Sequence, residues 1–203
     1  LLHNYYERMT INEQHDKLET IQQQVDQLEY LLERVTEALL ESGPRQPFQP
    51  NTCNLELICQ LHLVEAQANL GSRHRLRLVS DGSLTEAYID EYLVHRILTN
   101  LLSNAIKYST DNTEIQLRLS TDGDNAIIEV EDQGIGISLK EQTRLFEQFY
   151  KTTNAENISG IGLGLSIVRD CVERHHGKIS VRSEIDRGTT FTVRLPMRSA
   201  QTA

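Results

Sequence analysis

The chain of 203 residues contains 38% hydrophobic and 24% charged residues, a composition typical of a globular protein that folds in water. Its longest apolar runs are a few residues, far below the roughly 18 that cross a bilayer, so the sequence predicts no membrane contact and no signal peptide. The formal net charge of -9 argues against a general nucleic-acid binder, but it does not exclude a nucleotide held with a divalent cation.

The cysteines and the first residue bear on the kind of protein. Cys53, Cys59 and Cys171 are odd in number and lack the spacing of a zinc site, which favours buried thiols in a reducing compartment, and we expect a cytoplasmic location. The chain begins with Leu1 rather than Met. We interpret it as a processed product or a piece of a longer protein.

A heptad pattern occupies the first predicted helix. Apolar residues recur at alternating intervals of three and four, at Leu18, Ile21, Val25, Leu28, Leu32, Val35 and Leu39. Leu31 and Leu40 broaden this stripe, which favours a four-helix bundle over a two-stranded coil. Because one helix cannot bury such a face alone, residues 1–43 predict a dimerising helical segment with a second copy of the chain as partner. Packing of this helix on the following domain is the alternative.

Gly43 and three prolines end this helix, which predicts a hinge at 44–50 and a second domain over 51–203. Hydrophobic periodicity predicts helices over Asn54–Leu70, Asp90–Tyr108, Leu139–Phe146 and Leu163–Arg174. It predicts strands over Leu76–Val79, Glu114–Ser120, Ala126–Glu131, Lys178–Ser183 and Thr190–Leu195. The predicted fold class is α+β, a two-layer α/β sandwich with a mixed, mostly antiparallel sheet, preceded by the long helix of a dimeric bundle.

Three polar residues share one face of the predicted helix Asp90–Tyr108. Asn100, Asn104 and Lys107 are spaced by four and three residues, away from the buried row. Amide oxygens suit a hard cation such as Mg²⁺, and an ammonium group can pair with phosphate. A solvated polar face explains the same spacing equally well.

Three glycine runs follow along the chain. Asp132 ends a strand before Gly134 and Gly136, where the backbone can approach a flat ligand while the carboxylate accepts from an exocyclic amine. The run from Gly160 to Leu165 precedes a helix, whose free N–H groups would face phosphate. The run Gly188–Phe191 is the weakest of the three. Taken singly, each run is also explained by a turn.

In this order, the runs NLLSNAIKYS, DQGIGI, LFEQFYK, GIGLGLSIV and GTTF resemble the catalytic and ATP-binding domain of sensor histidine kinases of two-component signalling. The resemblance covers about residues 48–196. The heptad helix is similar to the second helix of that family's dimerisation and phosphotransfer domain.

The resemblance implies an ATP site with Mg²⁺ held by Asn104 and assisted by Asn100. Lys107 and Lys151 would meet the phosphates, Tyr108 would pack near the adenine or ribose, and Asp132 would bind the adenine amine. It also implies a lid from Phe146 to Ser159. The further implied ATP-binding residues are Gly134, Gly136, Ile137, Phe149, Gly160, Gly162, Leu163, Gly164, Leu165 and Thr190.

Position 100 separates two enzyme classes within the wider superfamily that the chain resembles. Gyrase-, Hsp90- and MutL-like ATPases commonly carry there a Glu that activates water, whereas an amide cannot take a proton. Asn100 therefore favours transfer of the γ-phosphoryl group to a protein acceptor. A response-regulator receiver domain is the implied downstream partner. A water-hydrolysing ATPase and a nucleotide-binding pseudokinase without transfer activity are the alternatives.

The acceptor motif of the resembled family is absent from this sequence. That motif has a His followed by an acidic residue and then a proline, whereas Asn4 follows His3, and His15-Asp16 lacks the proline. We therefore expect the acceptor to lie upstream and this chain alone not to phosphorylate itself. His175-His176-Gly177 replaces the family's usual His-Gly-Gly, which we interpret as a turn rather than a metal site.

Overall fold

The computed structural model describes residues 17, 20, 24, 47–70, 74–82, 84–155, 158 and 162–197. The chain divides into two compact units, Leu1–Pro47 and Phe48–Ala203. Lys17, Thr20 and Gln24 of the first unit are helical and exposed. The rest of the predicted heptad helix lies outside the described residues, and so does its predicted dimer contact. The elements below belong to the second unit.

The second unit contains four α-helices and seven strands among its described residues. The helices are α1 (Leu55–Leu70), α2 (Glu91–Tyr108), α3 (Leu139–Gln142) and α4 (Gly164–Arg174). The strands are β1 (Asn51–Cys53), β2 (Arg75–Ser80), β3 (Ala87–Ile89), β4 (Glu114–Thr121), β5 (Asn125–Asp132), β6 (Lys178–Glu184) and β7 (Gly188–Pro196). A short 3₁₀ helix spans Thr153–Ala155.

Five strands form a mixed sheet in the order β2-β4-β5-β7-β6. Strands β2 and β4 are parallel, since α2 lies between them in sequence, and the other neighbours are antiparallel. β1 and β3 pair separately as a small antiparallel sheet. The predicted fold class, a two-layer α/β sandwich with a mostly antiparallel mixed sheet, is confirmed.

The two faces of the sheet differ in polarity because side chains alternate along each strand. Ile115, Leu117 and Leu119 of β4 are buried, together with the matching alternate residues of β5 and β7. This face joins α1, α2 and α4 in one hydrophobic core. The other face is polar and carries a 2.7 Å ion pair between Arg118 and Glu131. Helices α2 and α4 are therefore packed against the apolar face of the sheet.

Two local predictions differ from the structure. The predicted helix Leu139–Phe146 was wrong beyond Gln142, because the following backbone bonds span three residues, from the N–H of Arg144 to Glu141 and from that of Glu147 to Arg144. Strands β1 and β3 were not predicted, since each has three residues and too little alternation to detect.

The cysteines are free in the structure. Burial raises the pKa of Cys59 to about 12 and that of Cys171 to about 11, so both are neutral thiols at physiological pH. Among the described residues, the structure contains no helix with the length and apolar character needed to span a membrane.

Candidate functional site

Helix α2 is held from one side and presents polar groups on another. Asp90 is its N-cap, and the Asp90 side chain accepts a hydrogen bond from the backbone N–H of Leu93. Its buried residues are Leu93, Val94, Ile97, Leu98, Leu101, Leu102 and Ala105. Asn100 and Asn104 are only partly buried. The core therefore fixes the helix, and the two amides lie outside that packed row.

The start of α4 lies directly against the amide of Asn100. The Asn100 Nδ2 donates to the carbonyl oxygen of Arg96 at 2.8 Å, which orients the amide on its own helix. A Cβ atom added to Gly164 would lie 2.8 Å from Asn100 Oδ1 and 3.7 Å from Asn104 Nδ2. Glycine at 164 thus lets the first turn of α4 reach the polar face of α2.

Helix α4 begins without a side-chain cap in the described part of the chain. Its N-cap position is Leu163, which has no side-chain acceptor, although Ser, Thr, Asp and Asn are the residues that usually fill this position. The first N–H groups of a helix have no partner within the helix and favour an anion. The uncapped start of α4, next to Asn100 and Asn104, is therefore suited to phosphate. Gly160 of the same run lies outside the described residues.

Asp132, at the end of β5, is the buried carboxylate of the site. The residue is 6% exposed, and Oδ1 accepts from the N–H of Gly134 at 2.8 Å and from the N–H of Thr189 at 3.2 Å. Burial raises the pKa of Asp132 to about 6 despite these two bonds. Within the described residues Oδ2 accepts no hydrogen bond. The second oxygen is thus left to accept from a ligand.

The glycines after Asp132 are explained by close backbone contacts. A Cβ atom on Gly134 would clash with the carbonyl oxygen of Tyr108, and one on Gly136 would clash with that of Glu184. Gly136 also has a φ of +65°, which favours glycine. These contacts attach the loop after β5 to the end of α2 and to the β6-β7 hairpin.

The register of β7 places Thr189 rather than Thr190 beside Asp132. Asp132 pairs with Thr189, whereas Thr190 pairs with Glu131. Ser183 of β6 accepts from the N–H of Ile137 at 2.8 Å and lies 2.9 Å from the Thr189 hydroxyl. Ser183 and Thr189 were not predicted as site residues. The GTTF run indicated this hairpin, but which threonine reaches the carboxylate depends on strand pairing.

The described part of the loop between β5 and α4 is anchored near this site. Asn154 Nδ2 donates to the carbonyl oxygen of Gly136 at 2.9 Å, and Lys151 Nζ donates to that of Ile158 at 2.8 Å. Phe149 is 57% exposed, and its N–H donates to the carbonyl oxygen of Gly162. Residues 156, 157 and 159 of the predicted lid lie outside the described residues.

The remaining predicted residues lie on the same elements. Lys107 Nζ is 5.1 Å from the ring centroid of Tyr108, at the end of α2. Burial raises the pKa of Tyr108, so its hydroxyl is neutral. Ile137 and Leu165 are partly buried against the core, and Leu163 is buried. The last turn of α2 therefore presents a cation and an aromatic ring beside the loop after β5.

The residues present fit a hard cation only through their amides. Among the described residues no group of three His, Cys, Asp or Glu side chains could hold a metal ion. Asn100 and Asn104 are neutral oxygen donors beside the uncapped helix start. Mg²⁺ usually takes few protein ligands and completes its shell with phosphate oxygens and water. The pair is consistent with such a site.

Fold and site together define a class of protein. A mixed sheet covered by helices carries a buried carboxylate after one strand, a helix with two amides, and an uncapped helix start beside them. This is the arrangement of a nucleotide-binding α/β sandwich. The family described as "Histidine kinase-, DNA gyrase B-, and HSP90-like ATPase" matches residues 89–199. The chain belongs to this family.

The similar proteins include sensor histidine kinases. The chain is 32% identical over 188 residues to the sensor histidine kinase RppB of Synechocystis, covering 90% of the chain and 41% of RppB. It is 41% identical over 118 residues to the heme sensor protein HssS of Staphylococcus saprophyticus, covering 58% of the chain and 25% of HssS. It therefore spans less than half the length of either relative.

A solved structure agrees with this fold. The mycobacterial sensor histidine kinase MprB superposes with a TM-score of 0.66 at 26% identity, covering 74% of this chain and 99% of that one. The second unit thus has the fold of the catalytic, ATP-binding domain of sensor histidine kinases.

Proposed function

We propose that the chain binds ATP with Mg²⁺ and transfers the γ-phosphoryl group to a histidine on a dimeric helical domain. The phosphoryl group would then pass to an aspartate of a response-regulator receiver domain. Membership of the ATPase family and the sensor kinases among its relatives support this proposal. The single observation that carries the choice of transfer over hydrolysis is the amide at position 100.

The adenine end of the nucleotide is assigned to Asp132. The carboxylate is buried, and its Oδ1 is already bonded to two backbone N–H groups. Oδ2 is then the acceptor for the exocyclic amine of adenine, while Gly134 and Gly136 let the flat base lie close to the backbone. Guanine has a carbonyl group at the position where adenine has this amine. A guanine base would therefore place an acceptor opposite the Asp132 carboxylate, which is itself an acceptor.

The phosphate end is assigned to the region where α4 meets α2. The first N–H groups of α4 would donate to phosphate oxygens, and Asn100 and Asn104 would hold Mg²⁺ through their amide oxygens. When bound, Mg²⁺ would neutralise negative charge on the phosphates. Lys107 lies in the last turn of α2, and Lys151 lies in the segment between α3 and α4, from which each could approach the phosphates.

Asn100 distinguishes a transferase from a hydrolase. An amide has no proton-accepting nitrogen or oxygen at neutral pH, so Asn100 cannot act as the base that activates water. Its Nδ2 is also engaged with the carbonyl oxygen of Arg96. An imidazole needs no such base, because the attacking nitrogen of the neutral ring bears no proton that must be removed, whereas the oxygen of water must lose one. The new bond would join that nitrogen to the γ-phosphorus, and ADP would leave with the electrons of the broken phosphorus–oxygen bond.

The two units would have separate tasks under this proposal. Residues 1–43 would form part of the dimerising helical domain, 44–50 would be the hinge, and 51–203 would bind the nucleotide. The heptad pattern supports the first assignment, and the prolines at 44, 47 and 50 support the second. The histidine that accepts the phosphoryl group would lie on the helical domain outside this sequence.

The experiment supplies a separately purified dimeric helical domain that carries an acceptor histidine. The chain is incubated with it, Mg²⁺ and ATP labelled on the γ-phosphate. The proposal predicts acid-labile label on the added domain and none on the chain itself. Release of the label as inorganic phosphate would identify a hydrolase, and ATP binding with neither outcome would identify a nucleotide-binding module. The variant Asp132→Asn is the control for transfer from this site.

A further inference from the structure

Four residues join the beginning of the second unit to the first turn of α2. The N–H of Gln49 donates to Asp90 Oδ2 at 2.9 Å. The N–H of Asp90 donates to Nε2 of His175 at 3.1 Å. The ring of Phe48 meets the His175 ring edge to face, with centroids 5.1 Å apart and planes at 84°. We call Phe48, Gln49, Asp90 and His175 the clasp.

The clasp is buried at its centre. Asp90 is 6% exposed and His175 is 3% exposed. Asp90 and His175 are separated by 85 residues in sequence, so their contact is made by the packing of α4 beside α2. A buried hydrogen bond has no water to replace either partner, and its loss is therefore costly.

The contacts of His175 define which nitrogen carries its proton. Nδ1 lies 2.8 Å from the carbonyl oxygen of Cys171, which can only accept, so Nδ1 is the donor. Nε2 must then be unprotonated, because it accepts from the N–H of Asp90. Only the neutral ring satisfies both contacts. A second proton on Nε2 would point at the N–H of Asp90.

Some of the charged and titratable groups around His175 raise its pKa, and others lower it. Burial lowers the pKa of His175, and Arg174 on the same helix lowers it further. The carboxylate of Asp90 and the bond to Cys171 raise it, but they do not offset burial. Phe48 and Gln49 contribute no charge from the segment packed against the ring. The His175 ring is therefore neutral in the folded protein at pH 7.

Asp90 connects two parts of the protein with one carboxylate. Oδ1 caps α2, the helix that carries Asn100 and Asn104, and Oδ2 holds the backbone at Gln49. Gln49 lies two residues from the boundary between the two units. The position of the segment that follows the boundary is thus tied to the first turn of the site helix.

We propose that Asp90 and His175 are positioning residues that fix the segment at Phe48 and Gln49 relative to the helix bearing Asn100 and Asn104, and that protonation of His175 releases this segment. ATP binding does not require the clasp, since none of its members lies among the residues assigned to the nucleotide. The consequence for phosphoryl transfer rests on the proposed function, because transfer to a histidine on another domain requires a defined orientation.

The experiment measures amide hydrogen exchange residue by residue in the full chain, expressed as protection relative to the intrinsic rate at each pH. The variant Asp90→Asn keeps an oxygen to cap α2 but places an N–H₂ group toward Gln49. His175→Phe keeps a ring against Phe48 and removes the acceptor for the N–H of Asp90. His62→Gln is the control, because burial lowers the pKa of His62 as well.

In the unaltered chain, protection of the Gln49 and Asp90 amides should fall by about tenfold or more as the pH is lowered and the His175 ring takes up its second proton. Protection of the Ile128 amide in the sheet should not change over the same pH range. Asp90→Asn should remove protection at Gln49 at every pH, and His62→Gln should leave the profile as it was. Protection at Gln49 that is independent of pH, or that survives Asp90→Asn, would overturn the proposal.

ATP affinity measured on the same samples separates the two proposals. The clasp predicts that Asp90→Asn binds ATP within about twofold of the unaltered chain, since its change lies outside the nucleotide contacts. A chain that binds no ATP would contradict the proposed function, while the exchange data would still decide whether the clasp exists.

Discussion

Gly164 and Asn100 are packed so closely that a Cβ atom at 164 would lie 2.8 Å from the amide oxygen of Asn100. Two elements 64 positions apart in sequence thus meet where the phosphates of ATP are expected. The contact makes position 164 a direct probe of the site, since a single methyl group tests whether α4 must start against α2.

The variant Gly164→Ala should weaken ATP binding by about tenfold or more, because the methyl group displaces either the first turn of α4 or the Asn100 amide. Alanine is the better helix former by up to about 1 kcal/mol, which offsets the cost of that displacement. The free energy of unfolding should therefore change little. Calorimetric titration with ATP and thermal unfolding measure the two effects. Unchanged affinity would contradict the placement of phosphate at this helix start. Ser103→Ala, at an exposed position of α2, is the matched control.

Replacing Asp132 by Asn should abolish adenine recognition while preserving the fold. The amide oxygen can still accept from the N–H groups of Gly134 and Thr189, but its N–H₂ group would face the adenine amine, donor against donor. We expect ATP affinity to fall by about 10- to 100-fold, the effect of losing a hydrogen bond to a charged acceptor. Titration calorimetry with ATP and with GTP checks this. If the unaltered chain binds ATP and GTP with equal affinity and Asp132→Asn weakens both equally, Asp132 does not recognise the base.

The same carboxylate should make stability depend on pH. Because burial raises the pKa of Asp132 from 3.8 to about 6, its contribution to stability is fully present below pH 3.8 and is lost as the pH rises through 6. The loss is up to about 3 kcal/mol for a shift of this size. Urea unfolding at pH 5 and pH 8 should therefore show Asp132→Asn gaining stability relative to the unaltered chain at the higher pH. A constant difference between the two proteins would contradict this expectation.

Elements with strong periodicity were predictable from sequence, whereas contacts between distant segments were not. The buried row of α2, its cap at Asp90 and the alternation along β4 and β5 follow from local patterns, and the structure confirms them. The contact of Asp90 with His175 depends on how α4 packs beside α2. The choice of Thr189 over Thr190 depends on the register of β7 against β5. Local patterns carry no information about either.

The turn after α4 offers a test of stability that is independent of the nucleotide. His176 has a φ of +55°, and the N–H groups of His176 and Gly177 donate to the carbonyl oxygens of Glu173 and Val172. This is a Schellman motif with a histidine where glycine is usual. His176→Gly should raise the free energy of unfolding by about 1 kcal/mol, measured by urea unfolding. His176→Ala, which retains a Cβ atom, should show no such gain, and an equal gain would contradict the explanation.

Replacing an amide of the site helix should change the Mg²⁺ dependence of ATP binding, whereas replacing an exposed neighbour on the same helix should not. Asn104→Ala removes one of the two candidate oxygen donors and should abolish the Mg²⁺-dependent part of ATP affinity, while the circular dichroism spectrum stays unchanged. Titrations with ATP in the presence of Mg²⁺ and of EDTA measure this part. If Asn104→Ala keeps the full response to Mg²⁺, Asn104 is not a ligand. Ser103→Ala again serves as the control on the same helix.

The most direct test of the central claim is where the γ-phosphate goes when residue 100 is changed. The chain and Asn100→Glu are each supplied with labelled ATP, Mg²⁺ and a helical acceptor domain, and label on histidine is compared with released phosphate. A transferase should place the label on histidine, and Asn100→Glu should raise phosphate release by at least about tenfold by supplying a base. Rapid phosphate release by the unaltered chain, with no label on histidine, would contradict the account.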